Sequence, residues 1–132
     1  MSATILVADD SATIRMIVQA ALTQAGWRVL AAVDGRAALS LAEREPVDLV
    51  VSDWNMPVMG GLEFIRTLRA SSRYAAAPIL VLTTEDDVGS KNAARQLGVS
   101  GWVHKPVDPE LLVGMAAELL GQAAPPPGTE AL

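Results

Sequence analysis

A few polar side chains in this 132-residue chain have the chemistry that phosphate and metal ions call for: Asp9-Asp10, Asp53 with Asn55, Thr83-Thr84 and Lys105. Three carboxylates brought together repel one another and raise one another's pKa unless a cation sits among them. Hard oxygen donors with positions open to water describe Mg²⁺ and not zinc, because the chain has no cysteine and a single histidine. A carboxylate beside such an ion can attack a phosphoryl group whose oxygens the metal neutralises. A lysine ammonium and a threonine hydroxyl opposite would hold the remaining oxygens. The chemistry expected is phosphoryl transfer to an aspartate. Each residue also has a plainer reading. Asp9-Asp10 could be solvated turn residues, Asp53 a turn former before Pro57 and Gly60-Gly61, a threonine a helix cap, and Lys105 a surface lysine. What sets them apart is where they fall.

Each lies at the end of an apolar run. Thr4–Ala8, Asp48–Ser52 and Ala77–Leu82 are continuous and rich in Val, Ile and Leu, as strands buried on both faces are. Gly101–His104 and Arg28–Ala32 are weaker strands. Helical spacing fills the intervals. Ile14, Ile17, Val18, Ala21 and Leu22 share one face, with Ser11 as cap and Gly26 at the C-terminal turn. A second helix is expected over Gly35–Glu45 behind Asp34, and a third over Leu62–Ala70 with Leu62, Ile65 and Leu68 inward. A fourth is expected over Asp86–Leu97, with Glu85, Asp86 and Asp87 at its positive end. A fifth begins at Asp108-Pro109 and buries Leu111, Leu112, Met115 and Leu119. Five β-α units imply an α/β fold: a doubly wound, five-stranded parallel sheet with helices on both faces. In such sheets ligands bind beyond the carboxyl ends of the strands, which is where the polar residues gather.

Composition narrows the function further. The chain is 51 % hydrophobic and 19 % charged, so it folds, and its length suits one domain. Ten basic and 15 acidic residues give a net charge of −5, unsuited to holding nucleic acid by its phosphates. With no cysteine there is no disulfide framework and no thiol nucleophile. The longest apolar runs are too short to span a bilayer, and no basic stretch precedes the first one. A cytoplasmic domain over residues 1–121 is expected, followed by a disordered tail, 122–132, around Pro125-Pro126-Pro127-Gly128.

Four ordered motifs resemble the receiver domain of two-component response regulators, of the stand-alone CheY-like type. They are Ile5-Leu6-Val7-Ala8-Asp9-Asp10-Ser11, the stretch from Ser52-Asp53-Trp54-Asn55 to Gly61-Leu62-Glu63, Leu82-Thr83-Thr84-Glu85, and Gly101-Trp102-Val103-His104-Lys105-Pro106. The resemblance implies the flavodoxin-like strand order 2-1-3-4-5. It implies that Asp53 is the phosphoacceptor. Asp10 would bind Mg²⁺ directly, Asp9 through water, and Asn55 through its backbone carbonyl. Thr83 and Lys105 would meet the phosphoryl group, and Thr83 and Trp102 would act as the switch. Asn55 and Glu85 match positions that tune dephosphorylation, with identities that resemble fast-turnover members and imply a short-lived phosphoryl state. Trp102 stands where tyrosine or phenylalanine is usual, Gly60 where aspartate is, His104 where an apolar residue is, and Val107 where phenylalanine is.

The expected function is therefore that of a single-domain response regulator and not an independent enzyme. A sensor histidine kinase or phosphotransfer protein would donate to Asp53 with Mg²⁺ as cofactor. A target would read the face formed by the fourth helix, fifth strand and fifth helix, in a chemotaxis-like pathway. A phosphorelay or kinase-feedback role is the alternative. An aspartyl-phosphate phosphatase would need a second aspartate where Asn55 stands. A flavin-binding module would need a phosphate loop where Asp9-Asp10 would repel it. A receiver that works without phosphorylation would not need the full set of site residues.

Overall fold

The computed structural model describes residues 3–84 and 88–121. Its strands are β1 (Thr4–Ala8), β2 (Arg28–Ala32), β3 (Leu49–Asp53), β4 (Ile79–Thr83) and β5 (Gly101–His104). Its helices are α1 (Ala12–Gln24), α2 (Gly35–Arg44), α3 (Gly61–Ala70), α4 (Val88–Gln96) and α5 (Pro109–Leu119). All strands pair in parallel in the order β2-β1-β3-β4-β5, with Ala8 opposite Ala32 and Ser52 and Asp53 opposite Leu82. The fold class and strand order are as expected. Glu85, the acidic start foreseen for the fourth helix and the tail 122–132 lie outside the described residues.

Side chains alternate across the three central strands, and each face has its own core. Leu6, Ala8, Val50, Ile79 and Val81 pack with Ala38 and Ala42 of α2, Phe64, Ile65 and Leu68 of α3, and Ala94 of α4. Ile5, Val7, Leu49, Val51, Leu80 and Leu82 pack with Val18 and Leu22 of α1 and Leu112, Ala116 and Ala117 of α5. A strand covered on both faces has no polar side to present, which is why these runs read as continuously apolar.

The helix starts set the geometry of the site. Ser11 Oγ accepts from the Ile14 N–H at 3.2 Å, Asp34 Oδ1 from Ala37 at 2.8 Å, and Asp108 Oδ1 from Glu110 at 3.0 Å. Among the helices whose starts are described, α3 differs, since its cap is Gly60 and supplies no side-chain bond. Gly61 answers a different need. A Cβ there would stand 2.5 Å from the Asp53 carbonyl oxygen, so only glycine lets α3 start against the end of β3.

Three inward positions differ from expectation, the first being Ile17 of α1, which is exposed while Val18 and Leu22 of the same face are buried. Leu111 is 54 % exposed, because α5 turns Leu112, Ala116 and Ala117 toward the sheet and α1. Phe64, not Leu62, fills the centre of the α3 contact; it is fully buried while Leu62 is half-buried.

Candidate functional site

The sheet order reverses beside β1: β2 lies on one side of it and β3, β4 and β5 follow on the other. The crevice beyond these strand ends is where a doubly wound sheet binds its ligand. Asp9 and Asp10 leave β1 there, and Asp53 is the last residue of β3. One carboxylate oxygen from each of the three lies within 4.8 Å of the others. Asp9 is fully buried, Asp53 is 4 % exposed and Asp10 is exposed.

Lys105, just beyond β5, reaches across the crevice. Its Nζ is 2.9 Å from Asp9 Oδ2 and 3.2 Å from Asp53 Oδ2. Asp9 Oδ1 accepts from the Ser11 N–H at 2.8 Å, and Asp53 Oδ1 from the Asn55 N–H at 3.3 Å. The buried Asp9 Oδ2 thus has a counter-ion, but the ammonium lies off the line of a well-formed hydrogen bond. Three carboxylates against one ammonium leave negative charge uncompensated. Burial, and then the charge of Asp9, push the Asp53 carboxyl up from 3.8 to about 6, although Lys105 and the Asn55 N–H pull the other way. Burial alone would lower the pKa of Lys105, but its close contacts with Asp9 and the fields of Asp53 and Asp9 raise it overall. Lys105 is therefore a fixed cation.

These features fit Mg²⁺. Every available donor is a hard oxygen, and one buried carboxylate oxygen lacks a directed donor. Asp9, Asp10 and Asp53 would hold the ion by side chain, and Asn55, in the adjoining loop, would offer its backbone carbonyl.

The other expected residues surround this cluster. Thr83 ends β4 and is fully buried, and its carbonyl accepts from the Lys105 N–H at 3.0 Å. Thr84 is exposed. Trp102, on edge strand β5, is half-buried with its ring centroid 5.8 Å from that of Trp54, the residue after Asp53. His104 is exposed, opposite Thr83 in the ladder. One residue that the sequence pattern did not mark is Arg15 of α1, whose Nη1 donates to the Asp9 backbone carbonyl at 2.7 Å. Its signal was positional only, since a long donor in the first turns of a helix can reach back to the strand before it.

Carboxylates from two adjacent strands, answered by a lysine just beyond the end of β5, form an acidic pocket that could hold a metal ion at the carboxyl edge of a doubly wound α/β sheet. The response regulator receiver domain family matches residues 5–117. A chemotaxis protein CheY homolog of Campylobacter jejuni is 38 % identical over 119 residues, covering 89 % of this chain and 92 % of that protein. The structure of Vibrio cholerae chemotaxis protein CheY4 is 41 % identical with a TM-score of 0.86, covering 90 % of this chain and 99 % of that one. The solution structure of a response regulator protein from Burkholderia multivorans is 51 % identical with a TM-score of 0.77, covering 94 % and 99 %. The chain belongs to the response regulator receiver domain family, and its likeness within it is to CheY. No described helix is long and apolar enough to cross a membrane.

Proposed function

We propose that this receiver takes a phosphoryl group onto Asp53 from the phosphohistidine of a sensor histidine kinase or phosphotransfer protein, with Mg²⁺ as cofactor. The observation that carries this reading is a buried Asp53 carboxylate, 3.2 Å from Lys105 and grouped with Asp9 and Asp10. Bound Mg²⁺ would favour the ionised acceptor and neutralise the phosphoryl oxygens.

An Asp53 oxygen forms the new P–O bond as the P–N bond of the donor breaks. The bonding pair returns to the imidazole, and an acyl phosphate results. The Asn55 N–H orients the carboxylate through Oδ1. Lys105 sits where it can exchange its contact with Asp53 for one with a phosphoryl oxygen, a charge-assisted bond. Thr83, at the end of the neighbouring strand, supplies the second donor, and the new charge draws it inward. That shift reaches Trp102, whose strand pairs with β4, and alters the face made by α4, β5 and α5. A cytoplasmic target protein reads that face.

Two of the three relatives above are named for chemotaxis, which favours a chemotaxis-like output over a phosphorelay or kinase-feedback role. Asn55, and Glu85 by its family position, favour a short phosphoryl lifetime. The test is incubation with Mg²⁺ and a small acyl phosphate, followed by intact mass. One labile phosphoryl adduct is expected on the wild type and none on Asp53→Ala. An unmodified wild type, or an adduct that survives the substitution, overturns the proposal.

A further inference from the structure

Asp9 is held at four points, three of which belong to the strand end, the turn and the site. Its N–H donates to the Ala32 carbonyl at 3.1 Å, its Oδ1 accepts from Ser11, and its Oδ2 faces Lys105. The fourth is its own carbonyl, beyond the end of β1, which accepts from Arg15 Nη1 at 2.7 Å. Arg15 also donates its backbone N–H to the Ser11 carbonyl at 3.0 Å. One residue of α1 therefore grips both ends of the Asp9-Asp10-Ser11 turn, and Asp9 is fully buried, beyond easy rescue by water.

We propose that Arg15 is a positioning residue for the cation site: by clamping the Asp9 carbonyl to α1 it fixes the Asp9 carboxylate where the ion is bound. This rests on the Mg²⁺ reading above and adds to it a residue outside the acidic cluster. Groups behind metal ligands commonly govern affinity as strongly as weak ligands do, because they set ligand orientation.

The proposal has a sign that a bystander role lacks. An arginine near a cation site repels the cation, so removing a mere neighbouring charge would tighten Mg²⁺ binding. Removing a positioning clamp loosens it. The two effects point in opposite directions.

Mg²⁺ titration followed by backbone amide NMR shifts separates them, using wild type, Arg15→Met, Arg15→Lys and Tyr74→Phe. Arg15→Met is expected to weaken Mg²⁺ binding roughly tenfold or more, within the range usual for residues that support metal ligands. Arg15→Lys keeps the charge and a single-headed donor, so its loss is intermediate. Tyr74→Phe deletes bonds to the Ala42 and Glu45 carbonyls, which belong to α2 and its end and not to the site, and so controls for general destabilisation. It should leave the affinity unchanged. A second reading, in chelator without metal, is hydrogen exchange at the Ser11 amide, which bonds Asp9 Oδ1. It should accelerate selectively in both Arg15 variants. Arg15→Met binding Mg²⁺ as tightly as wild type, or tighter, overturns the proposal. If Arg15→Met does not fold, wild-type affinity and wild-type Ser11 exchange in Arg15→Lys overturn it. A wild type that bound no Mg²⁺ would remove the proposed function, while the Ser11 exchange would still decide whether Arg15 holds Asp9.

Discussion

Replacing Asp53 by asparagine should make the metal-free protein more stable. Folding lifts the Asp53 carboxyl from 3.8 to about 6, through burial first and the charge of Asp9 second. A tenfold change in acidity is worth about 1.4 kcal/mol, so carrying Asp53 ionised in the fold costs up to about 3 kcal/mol at neutral pH, less where solvent screens it. The direction follows from proton binding. Between pH 4 and about 6 the folded state binds more protons than the unfolded state, so stability is lost as pH rises through that window. The penalty is absent below it and complete above it. Asparagine has the shape without the charge, can still accept from the Asn55 N–H, and leaves Lys105 paired with Asp9 at 2.9 Å. Urea unfolding in chelator, from pH 4 to pH 8, should show Asp53→Asn and wild type converging at the acid end. At pH 7.5 they should diverge by about 1–3 kcal/mol in favour of the variant, or up to about 10 °C in Tm for a domain of this size. Saturating Mg²⁺ should narrow the gap, since the ion offsets the repulsion only in the wild type. A gap that does not change with pH, or a wild type that is the more stable at pH 7.5, would refute the reasoning.

Three further outcomes follow from the fold. Arg69 donates to the carbonyls of Leu97 (2.7 Å), Tyr74 (2.9 Å), Ala77 (2.8 Å) and Gly98 (3.0 Å). Arg69→Ala strips the loops after α3 and α4 of their shared donor, and should cost roughly 3 kcal/mol in urea unfolding. Gly61→Ala places a methyl against the Asp53 carbonyl oxygen. It should destabilise by about 2 kcal/mol or more and weaken Mg²⁺ binding, because the end of β3 must move. Gly60→Asp should do the reverse. Its Cβ would sit 3.5 Å from the nearest heavy atom, an ordinary contact, and its carboxylate could cap α3, for a gain of about 0.5 kcal/mol in thermal unfolding.

The parts of the fold that were legible in the sequence are those where one residue decides one feature. The bounds of β1, β2 and β5 agree with expectation, and Ser11, Asp34 and Asp108 cap the helices assigned to them. Gly26, at φ +103°, supplies the left-handed turn after α1. β3 begins one residue later and β4 two residues later than expected, and each ends one residue later, at Asp53 and Thr83. Their polar side chains suggested a turn former and a helix cap, but the backbone ladder continues, and that last residue is what buries Asp53, the proposed phosphoacceptor, and the neighbouring threonine. Leu111 was misplaced because leucine signals burial more strongly than alanine does. Ala116 and Ala117 face inward because small residues let α5 lie close to α1 and the sheet. The acidic cluster could be found from its residue types and strand ends alone. Arg15 and Arg69 could not, since their partners are backbone carbonyls, and no sequence pattern records where a carbonyl is left without a ladder.

The central claim is that Asp53, and neither Asp9 nor Asp10, receives the phosphoryl group. Borohydride reduces an acyl phosphate to the alcohol and so marks the acceptor permanently. The direct measurement is peptide mapping by mass spectrometry after treatment with Mg²⁺, acyl phosphate and borohydride. A mark at position 53 alone is the predicted result; a mark at position 9 or 10, or none on a protein that binds Mg²⁺, would contradict it.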